Sequence, residues 1–140
     1  MNRRQQGDIG ELSAAAWLAG KGAPVALPLG HSPDWDQVTQ IMGRLVSVQV
    51  KTSTVSRRGR WTVSLCTKGG NQSWNGVAKH LDSTRCDYLF VHVGDGRRWF
   101  IPTVFLEGRS AVVLGGRKYA QFEFERGESL PGWAALRLAS

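Results

Sequence analysis

Four polar side chains of this sequence could act together on a divalent metal ion. Gln49 and Lys51 lie two residues apart in the run RLVSVQVK, which alternates as a β-strand does. Successive strand side chains point to opposite faces, so these two share one face and the flanking valines the other. Asp36 precedes the run in another extended segment, and Glu11 lies in a helix-like stretch. Carboxylates, an amide oxygen and a lysine at a strand end suit a hard cation such as Mg²⁺, with the lysine beside a nucleophile or phosphate.

The same residues also have a plainer interpretation. Gln49 and Lys51, taken alone, are what the solvent-facing side of any half-buried strand carries. Glu11 follows Asp8 by three residues and could be a carboxylate in the first turn of a helix, where the helix dipole favours it. The metal-site hypothesis therefore depends on the four side chains meeting in the fold.

Length, charge and cysteine content limit the class of protein. A chain of 140 residues fits one domain, here residues 1–140, and its net charge of +7 indicates a polyanionic partner. Charge alone does not separate DNA, RNA and an acidic membrane. Cys66 and Cys86 are too few for a disulfide framework and lack the spacing of a zinc site. No apolar run reaches membrane-spanning length and the N-terminus lacks a signal-peptide core, so we expect a cytoplasmic protein without a membrane partner.

The predicted elements alternate between one helix and many short strands. Helical spacing indicates a helix over residues 8–21, capped by Asp8 and ended by the glycines at 20 and 22. Strand patterns follow at residues 24–29, 44–51, 61–65, 87–93, 98–101 and 111–114, with a short helix at 103–107 and an edge segment at 119–125. The pattern predicts an α/β (α+β) domain with a central mixed β-sheet flanked by helices.

The order of the motifs resembles the PD-(D/E)xK nuclease superfamily. The similarity is carried by Gly10 and Glu11 on the first helix, by Asp36, and by the run VQVKT at residues 48–52. The segments DYLF at 87–90, WFIP at 99–102 and KY at 118–119 extend it from about residue 7 to residue 125. The chain is most similar to a small branch, including certain bacterial group I intron-encoded homing endonucleases, in which glutamine replaces the acid of the last motif. This resemblance implies a restriction-endonuclease-like core.

The resemblance also implies a role for each site residue. Asp36 would be the central metal-binding carboxylate, and Gln49 would direct its side-chain oxygen at the metal. The backbone carbonyl of Val50 would complete the protein ligands. Lys51 would position or activate the attacking water and steady the phosphate, and Glu11 would bind a metal directly or through water. The expected cofactor is Mg²⁺, with Mn²⁺ as a substitute. A neutral glutamine lowers the expected metal affinity and leaves open whether one or two ions bind.

Asp34 is an alternative to Asp36. It follows Pro33, which matches the letters of the superfamily name, and it shares strand parity with Asp36. We prefer Asp36 because Val38 follows it in the pattern of the branch, whereas an aspartate directly after a proline fits a turn. The sequence alone does not decide between the two carboxylates.

Two segments are candidates for DNA binding. Arg57, Arg58 and Arg60 follow the strand of Lys51 and could contact phosphates, with Trp61 stacking on a base. The loop at residues 68–79 is the second candidate, through Lys68, Asn71, Gln72, Asn75 and Lys79. The alternative for the arginines is a solvated basic hairpin.

Together these features predict a metal-dependent DNA endonuclease, of a homing or other site-specific type, acting on double-stranded DNA near the nucleoid. Because a small protomer offers one active site, cutting both strands would be easiest as a homodimer or homotetramer. Two alternatives remain open. The same core could be a Holliday-junction resolvase or repair nuclease that recognises DNA structure, or the chain could be a basic DNA-binding module without catalysis.

Overall fold

The chain opens with one long helix, α1 (Arg3–Gly20), in the computed structural model, which describes residues 2–30, 32, 34–66 and 81–124. The helix begins five residues before the predicted start because Asn2 and Gln5 form a capping box. The Asn2 side chain accepts from Gln5 N at 2.9 Å, and the Gln5 side chain accepts from Asn2 N at 3.0 Å. The prediction that Asp8 caps the helix is therefore wrong. Glu11 lies about two turns inside the helix, so the first-turn explanation for it is also wrong.

Short strands make up most of the rest of the described chain. They are β1 (Val25–Ala26), β2 (Gln37–Ile41), β3 (Arg44–Ser53), β4 (Ser56–Arg57), β5 (Arg60–Ser64), β6 (Tyr88–Val93), β7 (Arg98–Pro102), β8 (Ala111–Leu114) and β9 (Glu123–Phe124). The predicted short helix after Pro102 is a 3₁₀-helix, Thr103–Leu106. The predicted edge segment at residues 119–125 contains a second 3₁₀-helix, Ala120–Phe122, before β9.

The strands form two sheets. The larger has six strands in the order β1-β2-β3-β6-β7-β9, and the smaller has the order β4-β5-β8. Strands β3 and β6 run parallel, with Val48 opposite Tyr88, and the other pairs in both sheets are antiparallel. The predicted α+β fold with a central mixed sheet is thereby confirmed.

Each face of the larger sheet packs on a different layer. One face meets α1 through a cluster made by Ala14, Trp17, Leu18, Val48, Val50 and Phe90. The other face meets the smaller sheet, through residues such as Leu89, Val91 and Trp99 against Trp61, Val63 and Val112. In the described residues this second face is covered mainly by the strands of the smaller sheet, with Leu106 of the short 3₁₀-helix beside them, and not by the α-helices that we expected. The reason is that β5 and β8 each alternate buried and exposed residues, which gives them one apolar side.

Gly10 lets α1 approach β3 closely. A Cβ atom built on Gly10 would overlap the Cγ2 atom of Thr52 and lie 3.3 Å from Val50 Cγ1. The next residue of the helix is Glu11, so the contact fixes the height of Glu11 relative to β3. None of the described helices has both the length and the apolar character that a membrane span requires.

Candidate active site

Asp36 lies immediately before β2 and holds its carboxylate against the edge of β3. Its backbone N–H donates to the carbonyl oxygen of Val48 at 2.8 Å, so the residue continues the ladder between the two strands. Its Oδ2 atom accepts from the backbone N–H of Val50 at 2.8 Å and from Nε2 of Gln49 at 2.9 Å. The structure therefore brings Asp36 and Gln49 together, as the sequence analysis expected.

The backbone of Val50 opens toward the same edge. The register of the two strands begins at Gln37 opposite Val48, so β2 has no residue facing Val50. The N–H and C=O groups of one strand residue point to the same neighbouring strand. Because the Val50 N–H points at Asp36, the Val50 carbonyl also points to this edge. The edge of β3 therefore carries three groups with oxygen atoms: the Val50 carbonyl, the Asp36 carboxylate and the Gln49 side-chain amide.

Gln49 is a buried polar residue, with only 7% of its surface exposed. Its amide nitrogen is used by Asp36, while among the described residues its buried Oε1 atom has no hydrogen-bond donor. A buried amide oxygen without a partner costs free energy, and a hard cation would satisfy it. The residues present thus fit a divalent metal ion at this position.

Lys51 lies on the same face of β3 as Gln49 and is half-buried, whereas Val48 and Val50 pack toward α1. Burial lowers the pKa of the Lys51 ammonium group, and the nearby Asp36 and Cys66 partly raise it again. A positive group with little water around it and a carboxylate next to it is suited to contact a phosphate oxygen.

Glu11 reaches the site from the helix. A cleft of about 200 Å³ is lined by Glu11 and Asp36 together with Leu27, Pro28, Gly30, Ser32 and Trp35. Two carboxylates from separate elements thus face one cleft. Asp34 is not among these lining residues; its backbone N–H donates to Ser32 Oγ at 3.4 Å.

Gln37 is a site residue that the sequence analysis missed. It is 1% exposed, and its Nε2 atom donates to the backbone carbonyl of Glu11 at 2.7 Å. This bond joins the start of β2, next to Asp36, to the turn of α1 that carries Glu11. The strand register explains the contact, because Gln37 lies opposite Val48 on the face that packs against the helix.

The three arginines of the first candidate segment for DNA binding lie on the β4–β5 hairpin. Arg57 and Arg60 are opposite each other, and the turn between them contains Arg58 and Gly59 at φ angles of 52° and 74°. Two positive φ angles in a two-residue turn are typical of a type I′ hairpin. All three arginines are exposed.

Trp61 is buried, unlike the three arginines beside it in sequence. It is 8% exposed and belongs to the cluster between the two sheets, so the expected stacking on a base is wrong. The cause is the alternation of β5, which turns Trp61 and Val63 inward and Arg60 outward. The second DNA-binding candidate, with Lys68, Asn71, Gln72, Asn75 and Lys79, lies outside the described residues.

Comparisons with known proteins agree with this architecture. A family model described as PD-(D/E)XK endonuclease matches residues 1–111. Among solved structures, the bacterial homing endonuclease I-Ssp6803I is similar in fold, with a TM-score of 0.61 and 24% sequence identity over 90% of this chain and 84% of that chain. No curated protein sequence matches. Because the family model spans most of the sequence, including Glu11, Asp36 and Lys51, the chain belongs to the PD-(D/E)XK endonuclease family.

Proposed function

We propose that this nuclease is a metal-dependent endonuclease that hydrolyses phosphodiester bonds of double-stranded DNA at the site around Asp36. One observation carries the proposal. The Asp36 carboxylate is held by Gln49 and by the Val50 N–H, while the buried Gln49 Oε1 is left without a donor among the described residues. Such a group of oxygens is suited to a hard cation and has no evident role in packing.

The proposed ligands are Asp36, Gln49, the Val50 carbonyl and Glu11. No three His, Cys, Asp or Glu side chains cluster in the part of the chain that is described. A cation here would therefore depend on amide and backbone oxygens as well as on the two carboxylates. That donor set favours Mg²⁺, with Mn²⁺ as a substitute, over a softer metal such as zinc. When bound, the ion would lower the pKa of the attacking water and neutralise charge on the phosphate oxygens.

The remaining chemistry is assigned to the chain's own groups. Lys51 would donate hydrogen bonds to a phosphate oxygen or to the attacking water, and its partial burial strengthens that interaction. Glu11 faces the same cleft as Asp36 and could accept the proton of a water between them. Gln37 would act as a positioning residue, because it holds the backbone of Glu11 and does not itself face the cleft.

DNA would be bound through the exposed Arg57, Arg58 and Arg60. We further propose site-specific cleavage of the homing type, which is supported by the similarity in fold to a bacterial homing endonuclease. One protomer contributes one such site, so cleavage of both strands would be easiest for a homodimer or homotetramer. The Lys68–Lys79 candidates remain proposed DNA contacts.

Plasmid cleavage tests the catalytic assignment. We expect the parent protein to cut a supercoiled plasmid that carries a target site selected from a duplex library, with Mg²⁺ or Mn²⁺, and to stop in EDTA. Asp36→Asn and Lys51→Met should each lose about a hundredfold or more in rate while still binding DNA. Asp34→Asn is the matched control and should retain the parent rate. If both site variants cleave like the parent, the site is wrong.

The DNA-structure alternative needs a second substrate. A linear duplex library and a four-way junction of matched length should be digested side by side. We expect cleavage of the duplex at defined positions. Cleavage confined to the junction would replace the site-specific proposal by a junction resolvase, and DNA binding without any cleavage would indicate a non-catalytic module.

A further inference from the structure

The tip of the arginine hairpin rests on a second basic segment far away in sequence. Gly115 and Gly116 follow β8 directly, and Arg117 and Lys118 come next. A Cβ atom built on Gly115 would lie 2.5 Å from the carbonyl oxygen of Gly59 in the hairpin turn. Pairing of β5 with β8, in which Trp61 faces Leu114, is what brings the two segments together.

The two glycines make this contact feasible. Gly115 has a φ angle of +108°, a conformation that residues with a side chain rarely adopt. A Cβ atom on Gly116 would lie 2.8 Å from Nη1 of Arg60, so the bare backbone provides the space in which the guanidinium lies. The absence of two side chains therefore places Arg60 next to the turn that carries Arg117 and Lys118.

Two acidic side chains near this contact, among the residues that the structure describes, already accept hydrogen bonds from Arg97. Arg97, whose Nη1 atom approaches Gly115, donates to both carboxylate oxygens of Glu123, at 2.7 and 2.8 Å. The Arg97 backbone N–H donates to Asp95 Oδ1 at 3.0 Å. Arg97 thus neutralises Glu123, and the exposed cations of the two segments remain available to an external anion. These cations, which we call the basic ridge, are Arg57, Arg58, Arg60, Arg117 and Lys118.

We propose that the basic ridge is one continuous surface for the phosphate backbone of duplex DNA, and that Arg117 and Lys118 are DNA contacts in their own right. The inference rests on the proposed function, because it takes DNA to be the substrate of the site around Asp36. Phosphate is favoured over a base edge because the five cations come from two turns held side by side, which suits successive phosphates along a strand. The ridge is connected to the site through β3, which runs directly into the hairpin.

The test measures DNA affinity as a function of salt. Fluorescence anisotropy with a labelled duplex, in buffer without divalent ions, should be run for the parent and for Arg117→Ala/Lys118→Ala. We expect the double variant to bind about tenfold more weakly than the parent. The slope of the logarithm of affinity against the logarithm of salt concentration should also fall by the equivalent of roughly one to two phosphate contacts. Arg44→Ala is the control. This exposed arginine begins β3, and the rise of the strand puts it roughly 30 Å from Ser53, where β3 ends near the hairpin.

A variant that introduces a negative charge provides an independent test of the same surface. Gly116→Glu would crowd the guanidinium of Arg60 and place a carboxylate beside it, so it should also weaken binding relative to the parent. Circular dichroism should show that both variants keep the parent's fold. If the parent binds and cleaves DNA but both variants bind like Arg44→Ala, the basic ridge is wrong while the proposed function stands. If the parent neither binds nor cleaves DNA, both the proposed function and the basic ridge are wrong.

Discussion

The amide nitrogen of Gln49 donates a hydrogen bond to the carboxylate of Asp36 over 2.9 Å, so the two polar groups of the site hold each other. A carboxylate in place of the amide could not donate this bond. The usual acid of this motif would instead set two negative charges side by side until a cation separated them. Glutamine thus gives a site that is assembled in advance but has one negative charge fewer for a metal.

We expect Gln49→Glu to destabilise the metal-free protein by about 1–3 kcal/mol, because a buried hydrogen bond is exchanged for repulsion with Asp36. Mg²⁺ should recover most of that loss and should bind the variant more tightly than the parent. Urea unfolding with EDTA and with Mg²⁺ measures both effects. Gln40→Glu, at an exposed position of β2, controls for the added charge. Equal unfolding free energies for Gln49→Glu and the parent in EDTA would contradict this account.

Gly10→Ala tests the close approach of α1 to β3. Although alanine favours a helix over glycine, the added Cβ would overlap the Thr52 side chain, so we expect a loss of about 1–3 kcal/mol in unfolding free energy. Gly7→Ala is the matched control in the same helix. Its Cβ would meet nothing within 4 Å, so it should gain about 0.5–1 kcal/mol.

The overlap at Gly10 can also be relieved from the other side. Thr52→Ser removes the Cγ2 atom with which the new Cβ would collide. Adding it to Gly10→Ala should therefore recover a large part of the lost stability, measured by a double-mutant cycle. Strictly additive effects would mean that Gly10 and Thr52 are not in contact.

Gln37→Met should impair metal use without removing any proposed ligand. The substitution keeps the volume of the side chain but deletes the hydrogen bond to the Glu11 carbonyl. We expect the unfolding free energy to fall by about 1–2 kcal/mol and the Mg²⁺ concentration for half-maximal cleavage to rise. Gln40→Met serves as the control. A loss of stability with an unchanged Mg²⁺ requirement would show that Gln37 has only a structural role.

Burial lowers the pKa of Lys51 from its ordinary value of 10.5, and this predicts a pH dependence of stability. Between the lowered value and 10.5 the unfolded chain binds more protons than the native protein at this residue, so the contribution of Lys51 to stability rises with pH. Below the lowered value both states are charged and the burial penalty is fully present. Lys51→Met removes the free-energy cost of burying this charge, and with it the increase in stability at high pH.

The comparison of unfolding curves for the parent and Lys51→Met from pH 7 to pH 10.5 isolates this group from other titrating residues. We expect the stability of the parent, relative to the variant, to increase toward the alkaline end of that range. Lys118→Met controls for the loss of one lysine from the surface. Parallel curves for the parent and Lys51→Met would contradict a lowered pKa at Lys51.

Local patterns predicted the part of the site that lies on one hairpin. Asp36 directly precedes β2, and Gln49 and Lys51 lie on β3, the next strand along the chain. Alternation along the strand places Gln49 and Lys51 on one face and Val48 and Val50 on the other. These relationships involve neighbours in sequence, so period and turn chemistry are sufficient to find them.

Contacts between distant segments were beyond such reasoning. The bond from Gln37 to Glu11 joins residues 26 apart, and the contact of Gly115 with Gly59 depends on how β8 pairs with β5. The alternation of β5 is a local signal that places Trp61 on the buried side, and it outweighs the basic residues beside it. The start of α1 depends on the capping box of Asn2 and Gln5, which outweighs the cap expected at Asp8.

The continuity of β3 with the hairpin has a consequence for where the DNA is cut. Arg57 follows Lys51 by six positions, which is at most about 20 Å of extended chain and therefore at most about six base pairs of duplex. No flexible tether intervenes, since Ser53 Oγ donates to the Thr62 carbonyl at 2.7 Å where the strand enters the hairpin. In the proposed enzyme the segment from Lys51, near the end of β3, to Arg57 on β4 sets the offset between the bound phosphates and the cleaved bond.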